Sequence, residues 1–168
     1  MTTVRGWHGT VRAVENDDRA WVDETVARWW RSPVIISRGH VHRAAQLDGF
    51  IAEAGGRPAG LVTVYVDGDA CEVVTLNSFE PGSGAGVALM RSAETYARGR
   101  DCTRLWLITT NDNTHALRFY QRYGMRIAAV RIGAIDRARR LKPDIPATGN
   151  DGIPLRDEIE LELDLTAR

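Results

Sequence analysis

The chain has 168 residues, of which 43% are apolar and 26% are charged, the balance of an ordinary globular protein. The 22 basic and 22 acidic residues cancel, so the sequence offers no general electrostatic attraction to nucleic acid or to an anionic membrane. No apolar run is long enough to cross a bilayer, and residues 1–12 lack the apolar stretch of a signal peptide. These features predict one cytoplasmic domain, residues 1–168, with no nucleic-acid or membrane partner.

The first half of the chain predicts a strand, a helix and an antiparallel meander. Asn16 or Asp17 can cap the helix, which runs to about residue 31 and ends before Pro33. Its tryptophans, Trp21 and Trp29, fall on one apolar stripe, and we expect them and Trp30 mostly in the core. Residues 40–47 favour a helical turn, and residues 55–58 a turn of the meander. The predicted strands cover residues 11–14, 34–36, 50–54, 60–66 and 70–78.

The pattern changes after residue 78, where a glycine-rich loop leads into a helix. Gly124 follows a later helix at the position where glycine commonly ends one. The fold class is therefore mixed α/β: a mostly antiparallel sheet, flanked by helices, with a β-loop-α unit at its centre. The predicted helices cover residues 87–98, 113–123 and 134–141, and the strands residues 105–108, 125–131 and 159–165.

The loop Pro81-Gly82-Ser83-Gly84-Ala85-Gly86-Val87 follows a strand and opens a helix. Glycines allow close approach of the backbone to a ligand, and the free N–H groups of a first helical turn favour an anion such as a phosphate. A plain glycine turn is the alternative. The loop is not a P-loop, because no Gly-Lys-Ser/Thr follows, and it matches the Rossmann pattern poorly because the upstream strands form a meander.

A second motif follows the buried strand at residues 105–108. The run from Asn113 to Met125 resembles the Asn-x-x-Ala-x-x-x-Tyr-x-x-x-Gly-Phe run of GNAT acetyltransferases, with methionine at the final position. The glycine loop lies upstream at the spacing of that superfamily's Arg/Gln-x-x-Gly-x-Gly/Ala pattern. Gly84 and Gly86 match, and Pro81 departs because it stands in the Arg/Gln position. The resemblance covers residues 48–131 and, more loosely, the rest.

The resemblance implies that the chain is an acyltransferase with acetyl-CoA as co-substrate. The strand before the loop would lie along the acyl-pantetheine arm, the loop amides would hold the pyrophosphate, and Asn113 would contact the pantetheine or order the loop. The alternative for Asn113 is a plain helix N-cap, and the two roles can coexist. The implied cofactor-binding residues are Leu76, Asn77, Ser78, Gly82, Ser83, Gly84, Ala85, Gly86, Val87, Asn113 and Tyr120.

Two catalytic residues follow from the same resemblance. Tyr120 would lie near the thioester sulfur as general acid, since a phenol donates a proton to a departing thiolate at neutral pH without being charged. Glu72, near the start of the strand before the loop, would be the general base. The alternatives are a packed aromatic residue for Tyr120, and for Glu72 a solvated edge carboxylate, with proton loss to water. A backbone N–H near Leu76 would stabilise the oxyanion.

Other residues carry weaker signals. His40-x-His42 has no third ligand at a recognisable spacing, so no metal is predicted. Cys71 and Cys102 predict buried free thiols rather than a disulfide. The basic run at residues 137–142 is a solvated helix face or a contact for the 3′-phosphate of CoA or an acidic partner. Residues 157–162 predict an amphipathic strand, and the alternative is that Asp157 or Glu158 attracts a cationic acceptor.

The reaction implied is transfer of an acetyl group to a primary amine by direct attack in a ternary complex. The acceptor is predicted to be a small molecule, such as an amino acid, a polyamine or an amine antibiotic. Protein and aminoacyl-tRNA amines are the alternative acceptors. A non-catalytic acyl-CoA sensor is the alternative from another class, favoured by Pro81 alone. A homodimer is expected only from the family.

Overall fold

The computed structural model describes residues 6–38 and 40–166. The chain divides into two compact units, one of residues up to Leu105 together with those from Leu165 onward, and one of Trp106–Asp164. Residues 1–5, 39, 167 and 168, which the predicted domain and the N-terminal prediction include, lie outside the described residues. The single domain stays a prediction.

The first unit contains an antiparallel sheet with helices. Its elements are β1 (Thr10–Ala13), α1 (Arg19–Trp30), β2 (Val34–Ser37), β3 (His40–Arg43), β4 (Asp48–Ala54), β5 (Arg57–Asp67), β6 (Ala70–Ser78) and α2 (Ala85–Arg98). The strands of the sheet follow the order β1-β4-β5-β6, and β2 pairs with β3 in a separate antiparallel hairpin.

Helix α1 packs one apolar stripe on the sheet. Val22 and Val26, one turn apart, are fully buried and cluster with Ala44, Ile51 and Leu61. Burying each such side chain contributes about 1.5–3 kcal/mol of hydrophobic free energy. The predicted core position of the tryptophans is wrong for two of them, because Trp29 is 53% exposed and Trp30 40% exposed. Both lie beyond the buried stripe, at the C-terminal end of α1, and the core does not cover that end of the helix.

Two boundaries of the first unit differ from the sequence-based expectations. Residues Asn16–Asp18 form a 3₁₀ turn held by a capping box between Glu15 and Asp18, so α1 begins only at Arg19. The helical turn expected at residues 40–47 is wrong for its first half, because His40–Arg43 pairs with β2 as strand β3. Only Ala44–Gln46 forms a 3₁₀ turn.

Strand β6 carries an extra residue relative to β5. Thr63 pairs with Thr75 and the next residue, Val64, pairs with Val73, so Val74 is a bulge. Leu61, Thr63 and Tyr65 alternate along β5 and therefore share one face of the sheet. Their partners on β6 are Asn77, Thr75 and Glu72. Residues five positions apart on a regular strand face opposite sides of the sheet. The bulge therefore brings Glu72 to the same face as Asn77, five positions further along β6.

The elements of the second unit are β7 (Arg104–Thr110), which begins two residues before this unit, α3 (Thr114–Tyr123), β8 (Arg126–Arg131), α4 (Ala134–Leu141) and β9 (Glu158–Asp164). Its strands follow the order β7-β9-β8, with β8 and β9 antiparallel. Buried polar contacts hold its loops. The buried Asp112 carboxylate accepts hydrogen bonds from the backbone and side-chain N–H groups of Asn150, both at 2.8 Å.

These elements confirm the predicted α/β class, the mostly antiparallel pairing and the β-loop-α unit, which is β6, its loop and α2. Cys71 and Cys102 are buried free thiols, as predicted. Across residues 6–38 and 40–166, no helix has both the length and the apolar character that crossing a membrane requires.

Candidate active site

The loop between β6 and α2 is built around glycines with left-handed backbone conformations. Gly82 has φ +82° and Gly84, the N-cap of α2, has φ +90°. A Cβ atom on Gly84 would lie 3.1 Å from the Cβ atom of Trp7, so the loop also needs glycine there for space. The sequence analysis did not identify Trp7 as a neighbour of this loop.

The first turn of α2 presents backbone donors beside this loop. The Ser83 hydroxyl accepts from the Ala85 N–H at 3.3 Å, and Ala88 N–H closes the first helical bond to Gly84 at 3.0 Å. The amides of Gly86 and Val87 lie in the same turn, where N–H groups have no partner inside a helix. Together with the helix dipole, this arrangement suits an anion. The structure therefore brings together the predicted loop residues from Gly82 to Val87.

A side-chain hydrogen bond joins the end of β6 to helix α1. The indole N–H of Trp30 donates to the side-chain carbonyl of Asn77 at 3.1 Å. Asn77 is buried, and Leu76 and Ser78 on either side are partly exposed. The Ser78 hydroxyl donates to the carbonyl of Glu80 in the loop. The three predicted pantetheine contacts thus lie where β6 meets the loop.

A groove of about 360 Å³ lies between α1 and the start of the loop. Trp29 stacks on Phe79, with ring centroids 5.8 Å apart and planes at 15°, and Trp21 meets the edge of Phe79 at 6.3 Å. Its walls are therefore mainly aromatic, with one cationic side chain. The lining residues are Trp21, Thr25, Arg28, Trp29, Pro58 and Phe79.

Glu72 lies in a buried cluster beneath the β2–β3 hairpin. Its side chain is buried, so the alternative of a solvated edge carboxylate is wrong. The Nε2 atom of His42 lies 3.5 Å from Oε2 of Glu72, and the His42 ring packs 4.8 Å from that of Tyr65. His42 was considered in the sequence only as a metal ligand. Its position beside Glu72 has no local signal, because it depends on how the hairpin folds onto the sheet.

Burial lowers the pKa of His42 from its usual 6.5, and the charge of His40 lowers it further. The Glu72 carboxylate lies 3.5 Å from the ring, yet the pKa of His42 is lowered all the same. His42 is therefore neutral at pH 7 and can accept a proton. Among the residues that the structure describes, no three His, Cys, Asp or Glu side chains are grouped to hold a metal ion.

In the second unit, Asn113 and Tyr120 belong to helix α3. The Asn113 side chain accepts from the Ala116 N–H at 3.1 Å, so it is the helix N-cap. Tyr120 is buried, with Phe119 edge-on at 5.3 Å, and burial raises the pKa of its phenol well above 10. It remains protonated at neutral pH, the state that a proton donor needs.

A family model described as "Acetyltransferase (GNAT) family" matches residues 9–125. The chain belongs to the GNAT acetyltransferase family. This confirms the predicted family and the enzyme class, an acyltransferase.

Three similar proteins illustrate the GNAT assignment. The uncharacterized protein YdhI of Bacillus subtilis (strain 168) is 42% identical over 134 residues, which are 79% of this chain and 84% of YdhI. A Bacillus subtilis acetyltransferase solved in complex with CoA has a TM-score of 0.68 and 21% identity, covering 93% of this chain and 98% of its own. The ribosomal-protein-S18-alanine N-acetyltransferase of Escherichia coli has a TM-score of 0.66 and 17% identity, covering 94% of each chain.

Other predicted site residues of this GNAT protein have structural partners. Arg139 of the basic run donates to the carbonyls of Ile145, Pro146 and Leu155, so it holds a loop. The Asp157 carboxylate accepts from the Gly133 N–H at 2.7 Å at the start of α4. His115 is exposed.

Proposed function

We propose that this protein transfers an acetyl group from acetyl-CoA to the primary amine of a small molecule. The observation that carries this choice of acceptor is the aromatic groove between α1 and Phe79. Its volume of about 360 Å³ falls in the range of small-molecule pockets. Trp29, half exposed and stacked on Phe79, offers a flat apolar wall to a ligand of that size.

Acetyl-CoA as co-substrate is supported by the loop and by the fold. The amides that follow Gly82 and Gly84 form an anion site at a helix N-terminus, which suits a pyrophosphate. A structural neighbour holds CoA. In this proposal the backbone of β6 from Leu76 to Ser78 lies along the pantetheine arm, and Asn113 contributes through its helix cap.

The chemistry requires a base, an oxyanion donor and an acid. We assign Glu72, seven positions before Phe79 in the chain, as the base that takes a proton from the acceptor ammonium through intervening water, because a carboxylate beside a neutral imidazole is a suitable proton acceptor. The free amine then attacks the thioester carbonyl, and a backbone N–H of β6 near Leu76 stabilises the oxyanion. Tyr120 donates its proton to the departing thiolate as the carbon–sulfur bond breaks.

An acyl-CoA sensor is the rival from another class. It would need the anion site but not a buried carboxylate beside a histidine. A protein or aminoacyl-tRNA amine is the rival acceptor.

The test is a thiol-release assay with acetyl-CoA against amino acids, polyamines, aminoglycosides, peptides and aminoacyl-tRNA. CoA binding is measured in parallel by calorimetry. We expect turnover with a small amine, and Glu72→Gln should lower kcat about 10²-fold while Kd for CoA is unchanged. Glu94→Gln, on the surface of α2, is the matched control. Turnover only with peptides or aminoacyl-tRNA would overturn the acceptor class, and CoA binding without any turnover would favour the sensor.

A cytoplasmic location and a homodimer are further expectations of this proposal. Light scattering of the purified protein checks the second, and cell fractionation checks the first.

A further inference from the structure

The β2–β3 hairpin buries Ser37 and His42 on its inner face, beside the partly buried Ile35, and exposes Ile36 and Val41 on its outer face. Its register pairs Ser37 with His40 and Ile36 with Val41. Ser37 and His42 are only 7% and 5% exposed, whereas Ile36 and Val41 are 55% and 70% exposed. Burial of polar groups costs free energy unless they are hydrogen-bonded. The burial of Ser37 and His42 beside exposed apolar neighbours therefore needs an explanation.

The inner face leaves buried polar atoms without partners. Within residues 6–38 and 40–166, neither Ser37 Oγ nor His42 Nε2 has a hydrogen-bond partner, and the 3.5 Å separation from Glu72 is too long and poorly aligned to count as one. A buried, unpaired polar atom costs about 1–3 kcal/mol. A histidine kept only for packing would not justify that cost.

The cluster extends from the interior to the surface. The charged and titratable groups that face His42 are Tyr65 on β5, Glu72 on β6 and His40 on its own strand. The rings of His40 and His42 are nearly parallel, with centroids 6.0 Å apart, and His40 is exposed. His40 therefore lies between the buried His42 and solvent.

We propose that Glu72 and His42 act as a pair that removes the proton from the acceptor amine, and that His40 passes this proton to solvent. The inference rests on the proposed acetyl transfer and adds the route by which its proton leaves. The proposal also assigns a chemical role to the His40-x-His42 pattern.

The steps balance. An N–H bond of the acceptor ammonium breaks and its proton moves to the Glu72 carboxylate. The carboxylic acid passes the proton to Nε2 of His42, which restores the carboxylate and forms an imidazolium. The imidazolium loses the proton from its other ring nitrogen, through water, to His40 and then to solvent. Both groups return to their starting protonation states before the next cycle.

The first test uses His42→Gln, which keeps a polar group of similar length but cannot carry a proton. We expect kcat to fall about 10²-fold, the range typical of losing a proton-transfer group, while KM for acetyl-CoA stays within about twofold. The contribution of His42 to the acidic limb of the wild-type pH profile, which lies below pH 6.5 because that is the side to which its pKa is displaced, should disappear. His115→Gln, at an exposed position of α3, is the control and should match the wild type.

A second test separates proton transfer from a structural role. His40→Gln should lower kcat about 10-fold in dilute buffer, and concentrated imidazole buffer should restore it, since a mobile base replaces the exit group. Loss of a merely structural histidine would not respond to buffer. This measurement keeps the proposal testable should His42→Gln fail to fold.

The outcomes distinguish the two proposals. Wild-type protein that binds CoA but releases no thiol with any amine overturns acetyl transfer, and the proton route with it. Wild-type turnover that a folded His42→Gln variant retains, with an unchanged pH profile, overturns only the proton route. Loss of turnover in His42→Gln, together with buffer-dependent rescue of His40→Gln, supports both.

Discussion

The indole N–H of Trp30, the last residue of α1, donates to the side-chain carbonyl of Asn77 near the end of β6. Trp30 is 40% exposed, so this hydrogen bond, rather than burial in the core, positions it. The bond fixes the end of α1 above the part of β6 where we place the pantetheine arm. Helix α1 also supplies most of the aromatic groove, so one contact orients both proposed ligand sites.

Replacing Trp30 with Phe keeps an aromatic ring and removes the donor. We expect the free energy of unfolding to fall by about 1 kcal/mol, because the buried Asn77 carbonyl loses its partner. KM for acetyl-CoA should rise, since Asn77 is then free to turn. Urea denaturation and initial rates measure the two effects. Trp29→Phe, which keeps an aromatic ring against Phe79 and leaves the Trp30–Asn77 hydrogen bond in place, should leave KM for acetyl-CoA unchanged.

Gly84→Ala should destabilise the protein by about 1–2 kcal/mol, because alanine is strained at φ +90°. The new methyl group would also lie close to Trp7, so the loop must shift and Kd for CoA should rise at least several-fold. Gly68→Ala is the matched control, since Gly68 has φ +60° in a turn with open space around it. It should cost similar stability and leave CoA binding intact. Equal CoA affinities for the two variants would contradict the assignment of the loop.

Pro81→Arg restores the residue type that the family pattern carries at the first position of the loop. Pro81 is exposed, so an arginine there can reach a bound pyrophosphate without displacing other groups. We expect Kd for CoA to fall several-fold, with a stronger dependence on salt concentration. Pro81→Ala separates the effect of the charge from that of removing proline. Calorimetry at two salt concentrations measures it, and an unchanged affinity would show that position 81 does not face the pyrophosphate.

Tyr120→Phe removes the proposed general acid and keeps the buried ring. We expect kcat to fall about 10²-fold or more with Kd for CoA unchanged, because only the hydroxyl is lost. Tyr96→Phe is the matched control, as it removes a hydroxyl that bonds to Asp48 on the surface of the first unit. It should reduce stability slightly and spare turnover. A Tyr120→Phe variant with full activity would assign Tyr120 to packing.

The buried His42 should make stability depend on pH. Folding lowers its pKa below 6.5, so the unfolded chain binds a proton more readily than the folded one. The contribution of His42 to the free energy of unfolding is therefore constant well above pH 6.5 and decreases as the pH falls through 6.5 towards the lower folded value. Urea denaturation across this range should show a shallower pH dependence for His42→Gln than for the wild type, and identical curves would contradict the shift.

Local signals in the sequence predicted the parts of the site that depend on neighbouring residues. The glycine loop that opens a helix and the N-cap alternative for Asn113 are encoded within a few positions, and both occur, although α2 begins at Ala85 rather than at the predicted Val87. The β2–β3 hairpin was missed because its exposed apolar face, with Val41 outward and His42 inward, reverses the usual pattern. Contacts between distant segments, such as those of His42 with Tyr65 and Glu72, leave no local signal at all.

The position of Glu72 depends on the bulge at Val74. If β6 kept all its residues but lacked the bulge, strict alternation would turn Glu72, five positions from Asn77, towards the opposite face of the sheet. Deleting Val74 would remove the extra residue and the bulge together, so Glu72, then four positions from Asn77, would stay on the face of His42. A relative that lacks the bulge would therefore carry a base on this face four positions before the residue that matches Asn77.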